Sequence, residues 1–291
     1  MSSPLPPAYA ACRQVTRRHA RSFYFASHTL PREKRAAAYA VYAMCRHIDD
    51  AIDLAPDAEA RLQALIELRR LVESVYAPGE LTVPPELPWL PAFADTIGRY
   101  AIPKVYFFDL LTGVEMDQGR VRLHNWLELR QYCYHVASVV GLMMTHIMAT
   151  PEEHLLEPAI ELGIAMQLTN ILRDIAEDYG RDRVYLPADE MEKYGVSEDD
   201  IRHQRVTESF RALMRFQIGR ARERYLLSEP GITELPRDGS ALTVWSMRFI
   251  YAGILEEIER ADYHVLDRRV YVTTPRKCYL AFKAWKQSRA A

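Results

Sequence analysis

The sequence has 291 residues, of which 49% are hydrophobic and 26% charged, and its formal net charge is −2 at pH 7. This composition is ordinary for a folded protein with a large core, and it gives no bulk electrostatic reason to expect a nucleic-acid partner. The N-terminus lacks a signal-peptide pattern, and the most apolar window, 136–149, is too short to span a bilayer. The cysteines are scattered without a CxxC pair, so we expect reduced thiols and a cytoplasmic protein.

Nearly every segment has the helical period, and none predicts a convincing strand. In the first half, helices are expected at 8–27, 31–54, 57–76, 92–101 and 103–117, with a proline-rich loop at 77–91. In the second half, they are expected at 126–149, 158–178, 206–227, 241–263 and 275–285, with short pieces at 188–203. Pro31 suits the start of a helix, and Asp57 suits an N-cap.

A polar stripe lies within QLTNILRDIAEDYGRDRVYLP, residues 167–187. Wound as a regular helix, this segment places Gln167, Asn170, Asp174 and Asp178 on one face, beside an apolar flank. Two carboxylates four residues apart repel each other, and desolvation raises that cost. A cation between them would remove the penalty. Oxygen ligands without His or Cys suit Mg²⁺, with Mn²⁺ as the alternative ion.

A second acidic stripe lies far upstream, in CRHIDDAID, residues 45–53. Arg46, Asp49, Asp50 and Asp53 share one helical face. Two acidic stripes that face each other would form a cleft for divalent ions, and diphosphate is the natural ligand of such ions. Spacing alone leaves this interpretation and that of solvated surface carboxylates equally open. Asp50 is expected to be solvated, or to lie beside the metal ligands, rather than to bind metal directly.

Six motifs carry a resemblance to a known family, and they occur in the order HARSFYFASHTLP, CRHIDDAID, GVEMDQGRVR, YCYHVASVVGLMM, QLTNILRDIAEDYGRDRVYLP and RRVYVTTPRK. With these motifs the sequence resembles the squalene/phytoene synthase family, the head-to-head trans-isoprenyl diphosphate synthases. YCYHVASVVGLMM and RVYLP look closest to bacterial phytoene synthases. The resemblance covers roughly residues 12–285. It implies one domain over 1–291 with an all-α isoprenoid synthase fold, in which helices surround a central cavity.

The resemblance also implies an activity, namely Mg²⁺-assisted ionisation of one prenyl diphosphate and attack by a second. The cyclopropylcarbinyl diphosphate formed in this way ionises again and rearranges to a linear product. We expect two geranylgeranyl diphosphates to give phytoene through prephytoene diphosphate. The alternative is the same chemistry on two farnesyl diphosphates, giving presqualene diphosphate, dehydrosqualene or squalene. NADPH is not expected as a cofactor.

Residue roles follow from the resemblance. It implies these metal ligands: Asp49, Asp53, Asn170, Asp174 and Asp178. Two tyrosines, Tyr132 and Tyr251, are expected to line the reaction chamber and to join the four aspartates in catalysis. The residues expected to bind the substrate diphosphates are His19, Ser22, Phe23, Arg46, Arg173, Arg183 and Arg268. The residues expected to line the cavity are Tyr42, Val136, Ala137, Gly141, Leu142 and Gln167. Arg269 is expected at the surface.

The sequence departs from the family pattern at two positions. Ser138 replaces the glycine of the usual VAG, which could change tail length or substrate placement, and Glu177 adds a carboxylate beside Asp178. A non-catalytic relative should have lost one acidic motif, and a di-iron bundle would need Glu-x-x-His pairs. Both acidic motifs are present here, and the sequence contains no Glu-x-x-His pair. We also expect peripheral membrane contact at the cavity mouth, and a monomer or weak dimer.

Overall fold

The computed structural model describes residues 5–290, and this part of the chain is almost entirely helical. The helices of the first half are α1 (Leu5–His19), α2 (Arg21–Ala26), α3 (Arg32–Asp53), α4 (Ala58–Tyr76), α5 (Leu90–Tyr100) and α6 (Lys104–Met116). A 3₁₀ turn, Ser27–Thr29, connects α2 to α3. The first expected helix is therefore broken after His19, and Asp57 caps α4 as expected by accepting a hydrogen bond from the backbone N–H of Ala60.

The second half contains the longest helices. They are α7 (Trp126–Cys133), α8 (Val139–Met148), α9 (Glu153–Gly180), α10 (Ala188–Tyr194), α11 (Glu198–Arg202), α12 (Glu208–Glu234), α13 (Ser240–Arg260) and α14 (Thr274–Ala290). A π-helical turn, Tyr134–Ser138, joins α7 to α8. The apolar helix expected at 126–149 is thus one rod with a widened turn in its middle.

Two helix boundaries differ from the sequence expectation because each helix contains a proline. Helix α9 begins before Pro158, and α12 continues through Pro230. The two helices touch where Pro158 meets Gly231, the residue after Pro230, since a Cβ on Gly231 would lie 2.5 Å from the Cβ of Pro158. Glycine is required at this close approach, and the packing there offsets the helix-breaking tendency of proline.

The expectation that the chain has no strand is wrong in one small place. Strand β1 (Val121–Arg122) pairs in parallel with β2 (Arg183–Val184), with Val121 opposite Arg183. This short ladder ties the loop after α6 to the segment that follows α9. It therefore brings the GVEMDQGRVR and RVYLP motifs together.

Two groups of buried apolar residues form the interior of the described chain. One is built mainly on α9, α12 and α13, and the other mainly on α1, α3, α5 and α6. Leu235 and Val244 pack against both, which is consistent with the expected single domain. The four cysteines are free thiols. Across residues 5–290, no helix has the length and apolar character that crossing a membrane requires.

Candidate active site

A mainly apolar cavity of about 320 Å³ lies between the two groups of buried residues. Its volume is within the range of about 300–1,000 Å³ that is typical of small-molecule sites. The expected site residues found in its lining are Phe23, Tyr42, Val136, Ala137, Gly141, Gln167, Asn170 and Tyr251. Methionine, leucine and valine side chains from α8, α9 and α13, with Ile232 of α12, form much of the remaining wall. Such a chamber suits long hydrocarbon chains.

Ser138 does not contribute to this wall. Its side chain is fully buried, and its hydroxyl donates a 2.8 Å hydrogen bond to the carbonyl of Ile160 on α9. A Cβ on Gly163 would lie 2.4 Å from the Cα of Ser138, so the two helices are in close contact here. The serine therefore acts on helix packing, and the expected direct effect on a prenyl chain has no contact to support it.

Two residues expected at the chamber, Tyr132 and Leu142, are buried outside its lining. The Tyr132 hydroxyl donates a 2.9 Å hydrogen bond to Asp117, and its ring stacks on Tyr185 with 4.6 Å between ring centres. The ring is therefore held among polar groups near the acidic motifs. The helical period identified a buried face correctly but could not tell which cavity or network it adjoins.

The first acidic motif lies in the last two turns of α3. Asp49 is accessible to solvent from the cleft, yet the surrounding protein desolvates its carboxyl enough to raise the pKa to about 7. Arg46 opposes this increase, while Asp53 adds to it. Arg46 itself forms an ion pair with Asp50.

The second acidic motif lies near the end of α9, where the helix is kinked. Asp174 has φ −107° and ψ 16°, outside the helical region, so the regular stripe expected from Gln167 to Asp178 is interrupted there. Two nitrogens of Arg173 donate hydrogen bonds to the Asp174 carboxylate, and the bond from Nε is 2.9 Å long. Burial and the neighbouring Asp174 raise the pKa of Asp178 to about 7.

Asp117 connects the two motifs, and the sequence analysis gave it no role. It accepts hydrogen bonds from Tyr132 at 2.9 Å and from Tyr185 at 2.6 Å. Burial raises its pKa, while the Tyr185 hydroxyl and Arg183 hold the pKa down. Its charge also raises the pKa of Asp49 and of Asp178. The only sequence signal was its position inside GVEMDQGRVR.

Two arginines face the acidic cleft with unused donor capacity. Arg183 lies on β2, with its Nη2 3.9 Å from the Oδ1 of Asp53. The buried Nε atoms of Arg46 and Arg183 have no hydrogen-bond partner within residues 5–290. Buried guanidinium donors without partners are costly, and phosphate oxygens would satisfy them. This supports the expected diphosphate-binding role of both residues.

The structure places Arg268 and Arg269 differently from the expectation that Arg268 faces the site. Arg268 is exposed, and its Nη2 donates a 3.2 Å hydrogen bond to the carbonyl of Ala261. Arg269 instead turns towards α9, with its Nε 3.3 Å from Asp174 and its Nη1 3.4 Å from Glu177. Periodicity cannot choose between adjacent arginines in a segment that is not helical. Both arginines are exposed, and of the two only Arg269 contacts the second acidic motif.

Only some of the N-terminal residues expected to bind a diphosphate lie close to the cavity. Phe23 lines the cavity, and its ring centre lies 6.0 Å from that of Tyr42. Ser22 accepts a 3.2 Å hydrogen bond from the amine of Lys277, whose pKa is lowered by burial. His19 is exposed. Lys277 was not assigned from the sequence, although it belongs to the RRVYVTTPRK motif.

The carboxylates of the two acidic motifs are the candidate ligands of a metal ion. In the described part of the chain, no three His, Cys, Asp or Glu side chains lie close enough to hold an ion by themselves. However, the surrounding protein raises the pKa values of Asp49 and Asp178, so a cation would stabilise their ionised forms. The donors are hard oxygens, which fit Mg²⁺ when a phosphate completes its coordination. The residues therefore suit a shared metal–diphosphate site.

Comparison with known proteins agrees with this geometry. A family model described as squalene/phytoene synthase matches residues 16–276. The chain belongs to this family. It is 40% identical to a phytoene synthase of Arthrospira platensis over 93% of this chain and 90% of the relative. It is 36% identical to a 15-cis-phytoene synthase of Synechocystis sp., over 97% of this chain and 86% of the relative.

Solved structures of the squalene/phytoene synthase family have the same fold. A dehydrosqualene synthase in complex with a ligand superposes with a TM-score of 0.90 and 29% identity, covering 99% of this chain and 100% of that one. A squalene synthase from Alicyclobacillus acidocaldarius gives a TM-score of 0.81 and 28% identity, covering 89% and 95% of the two chains. The all-α isoprenoid synthase fold expected from the sequence is confirmed.

Proposed function

We propose that the protein is a phytoene synthase, a prenyltransferase that joins two geranylgeranyl diphosphates head to head. The observation that carries the proposal is the position of the apolar cavity between two acidic helices, with Tyr42, Asn170 and Tyr251 in its wall. The phytoene synthases among the curated relatives support geranylgeranyl over farnesyl substrates. The dehydrosqualene synthase with a TM-score of 0.90 keeps the farnesyl reaction as the second candidate.

The chain's basic residues hold the diphosphates in this proposal. Arg46, Arg183 and Arg269 supply guanidinium donors, and Lys277 supplies an ammonium group beside Ser22. Arg173 positions Asp174. Guanidinium forks match phosphate oxygens and remain charged at any working pH. These contacts orient the bond between the prenyl carbon and the diphosphate oxygen for cleavage.

The four motif aspartates and Asn170 hold Mg²⁺, with Mn²⁺ as a substitute. Bound Mg²⁺ supplies positive charge that stabilises the departing diphosphate. Asp117 stays outside this set in our proposal, because the hydrogen bonds from Tyr132 and Tyr185 hold its carboxylate in place. It fixes the positions of neighbouring groups.

The cavity wall protects the carbocation that ionisation leaves. Tyr42 and Tyr251 present aromatic rings to the chamber, and the face of such a ring attracts a cation. The apolar lining excludes water, which would otherwise capture the cation as an alcohol. Val136, Ala137 and Gly141 provide the surface for the prenyl chains. We propose that no NADPH takes part.

The substrates and product are lipids, so we propose that the protein contacts a membrane peripherally. It would act as a monomer or weak dimer in the cytoplasm. The absence of a spanning helix within residues 5–290 is compatible with this arrangement.

The proposed metal ligands can be tested by replacing Asp49, Asp53, Asp174 and Asp178 singly with alanine. Each variant should lose about 10²-fold or more in turnover, because each removes several kcal/mol of charge stabilisation. Circular dichroism should show the fold intact, and Glu67→Ala on the exposed side of α4 is the matched control. Wild-type turnover in any two of the four variants would refute the assignment.

A further inference from the structure

Helix α14 carries an outward face that the proposed chemistry does not use. Its exposed residues recur at helical spacing and form what we call the α14 outer face: Tyr279, Phe282, Trp285, Lys286 and Arg289. The Tyr279 and Phe282 side chains are 55% and 52% exposed, and Trp285 is 39% exposed. The opposite side of the helix, with Leu280 and Ala284, is buried. The helix therefore has one apolar side that packs on the protein and a second side, with aromatic and basic residues, that faces outward.

The charge of this helix has a single sign. Residues 274–290 contain arginines and lysines but no aspartate or glutamate, although the whole chain has a net charge of −2. Lys286 lies 4.9 Å from the centre of the Phe282 ring, and Arg289 lies 4.4 Å from that of Trp285. Neither has an acidic partner among the described residues. Their charge is thus available to an outside anion.

We propose that the α14 outer face binds the surface of an anionic lipid bilayer. Aromatic rings settle at the boundary between headgroups and acyl chains, and lysine and arginine beside them attract anionic headgroups. A second copy of the chain is a poor occupant, because a symmetric pair would bring Lys286 and Arg289 against themselves. This inference extends the peripheral membrane contact proposed above by naming the surface and the lipid class.

The position of α14 connects such a membrane contact to the cavity. On its inner side, Lys277 bonds Ser22, which directly precedes the cavity residue Phe23. Leu280 packs so closely on α13 that a Cβ on Gly253 would lie 2.8 Å from it. Tyr251, two residues earlier on α13, lines the cavity. A bilayer bound at α14 would therefore lie one helix away from the chamber.

Vesicle binding by the whole protein tests the inference without any turnover. Purified protein is mixed with phosphatidylcholine vesicles that contain or lack phosphatidylglycerol, and the bound fraction is measured by flotation. Wild-type protein should bind the anionic vesicles. Lys286→Gln/Arg289→Gln should bind about 25-fold more weakly, at about 5-fold per charge. Phe282→Ala/Trp285→Ala should lose about 10-fold or more.

Matched control variants show whether a loss of vesicle binding is specific to the α14 outer face. Arg70→Gln/Arg237→Gln removes two exposed charges elsewhere, and Leu226→Ala/Leu227→Ala removes exposed apolar side chains from α12; both should bind as wild type does. Brominated lipid should quench tryptophan fluorescence in the wild type and much less in Trp285→Phe. Equal binding by the α14 variants, equal binding to neutral vesicles, or no binding to any vesicle would each overturn the inference. So would a wild-type dimer that becomes monomeric in the α14 variants without a change in vesicle binding.

Phytoene formation is measured separately in detergent with the same variants. Normal turnover with lost vesicle binding supports the inference, since none of these residues lies in the proposed site. A wild-type protein that binds anionic vesicles through α14 but forms no product would refute the proposed function and leave the membrane surface intact.

Discussion

The hydroxyl of Tyr185 donates a 2.6 Å hydrogen bond to Asp117, 68 residues earlier in the chain. With the 2.9 Å bond from Tyr132, it satisfies a buried carboxylate that lies between the two acidic motifs. The β1–β2 pair holds the two segments in register beside it. Removing either hydroxyl would leave a buried acid with fewer partners.

Replacing Tyr185 with phenylalanine should therefore lower the free energy of unfolding by about 1–3 kcal/mol, the penalty for leaving a buried polar group unsatisfied. The pKa of Asp117 should rise further, because the lost hydrogen bond holds it down. Urea unfolding at pH 8 measures the stability change. Tyr271→Phe removes a hydroxyl from a side chain that is 71% exposed and serves as the control. Equal stability of the two variants would contradict the proposed role of the network.

In EDTA, the stability of the wild type relative to Asp49→Asn and Asp178→Asn should fall as the pH rises from about 4 to about 7. The pKa values of Asp49 and Asp178 are raised from 3.8 to about 7 in the folded state. In that interval these two carboxyls hold more protons in the folded state than in the unfolded state, so their contribution to stability falls with pH. Above pH 7, Asp49→Asn and Asp178→Asn should melt at higher temperature than wild type in EDTA.

Calorimetry across this pH range measures the effect, with Glu67→Gln as a control on an exposed acid of α4. Mg²⁺ with inorganic diphosphate at pH 8 should raise the melting temperature of the wild type more than that of either aspartate variant. A difference in stability between the wild type and these two aspartate variants that does not change from pH 4 to pH 7 would show that the pKa values of Asp49 and Asp178 are not raised.

Replacing Arg268 and Arg269 separately compares what each of these adjacent arginines contributes to kcat/KM. Arg269→Gln should lower kcat/KM by about 10- to 100-fold, since a charged hydrogen bond is worth about 1.5–3 kcal/mol. Arg268→Gln should stay within about threefold of wild type, because its side chain contacts only a backbone carbonyl at the surface. Steady-state kinetics on both variants decides between them. A larger loss in Arg268→Gln would restore the assignment made from the sequence.

Ser138→Gly restores the residue that the family usually carries. The change removes the 2.8 Å hydrogen bond to Ile160 and introduces glycine into a helical segment, so we expect a loss of about 1–2 kcal/mol in stability. The preference between farnesyl and geranylgeranyl diphosphate should not change, since Ser138 lies outside the cavity lining. Competition between the two substrates measures that preference. A shifted product ratio would mean that the serine acts on the prenyl chain.

Helical periodicity was sufficient for much of the fold. The flank of the acidic stripe, with Leu168, Ile171, Leu172 and Ile175, is buried as the spacing indicated, and Asp57 caps its helix. Pro158 and Pro230 misled the boundary predictions, because tertiary contact at Gly231 keeps both helices intact around them. Local sequence rules do not contain that contact.

The candidate site was predicted well where it depended on motifs and less well where it depended on side-chain direction. Periodicity and resemblance identified the cavity residues Tyr42 and Tyr251, but they placed Tyr132 in the chamber, although it bonds Asp117. Asp117 and Lys277 act through partners far away in the chain, Tyr185 and Ser22. No pattern within a single segment encodes those partners.

The identity of the product is the most direct test of the proposed phytoene synthase activity. Purified protein is incubated with Mg²⁺ and either geranylgeranyl or farnesyl diphosphate, with and without NADPH, and the extracts are resolved by mass. Phytoene should form from geranylgeranyl diphosphate without NADPH, and its formation should stop in EDTA. A product formed from farnesyl diphosphate alone, with nothing from geranylgeranyl diphosphate, would contradict the proposed activity and assign the protein to the squalene branch.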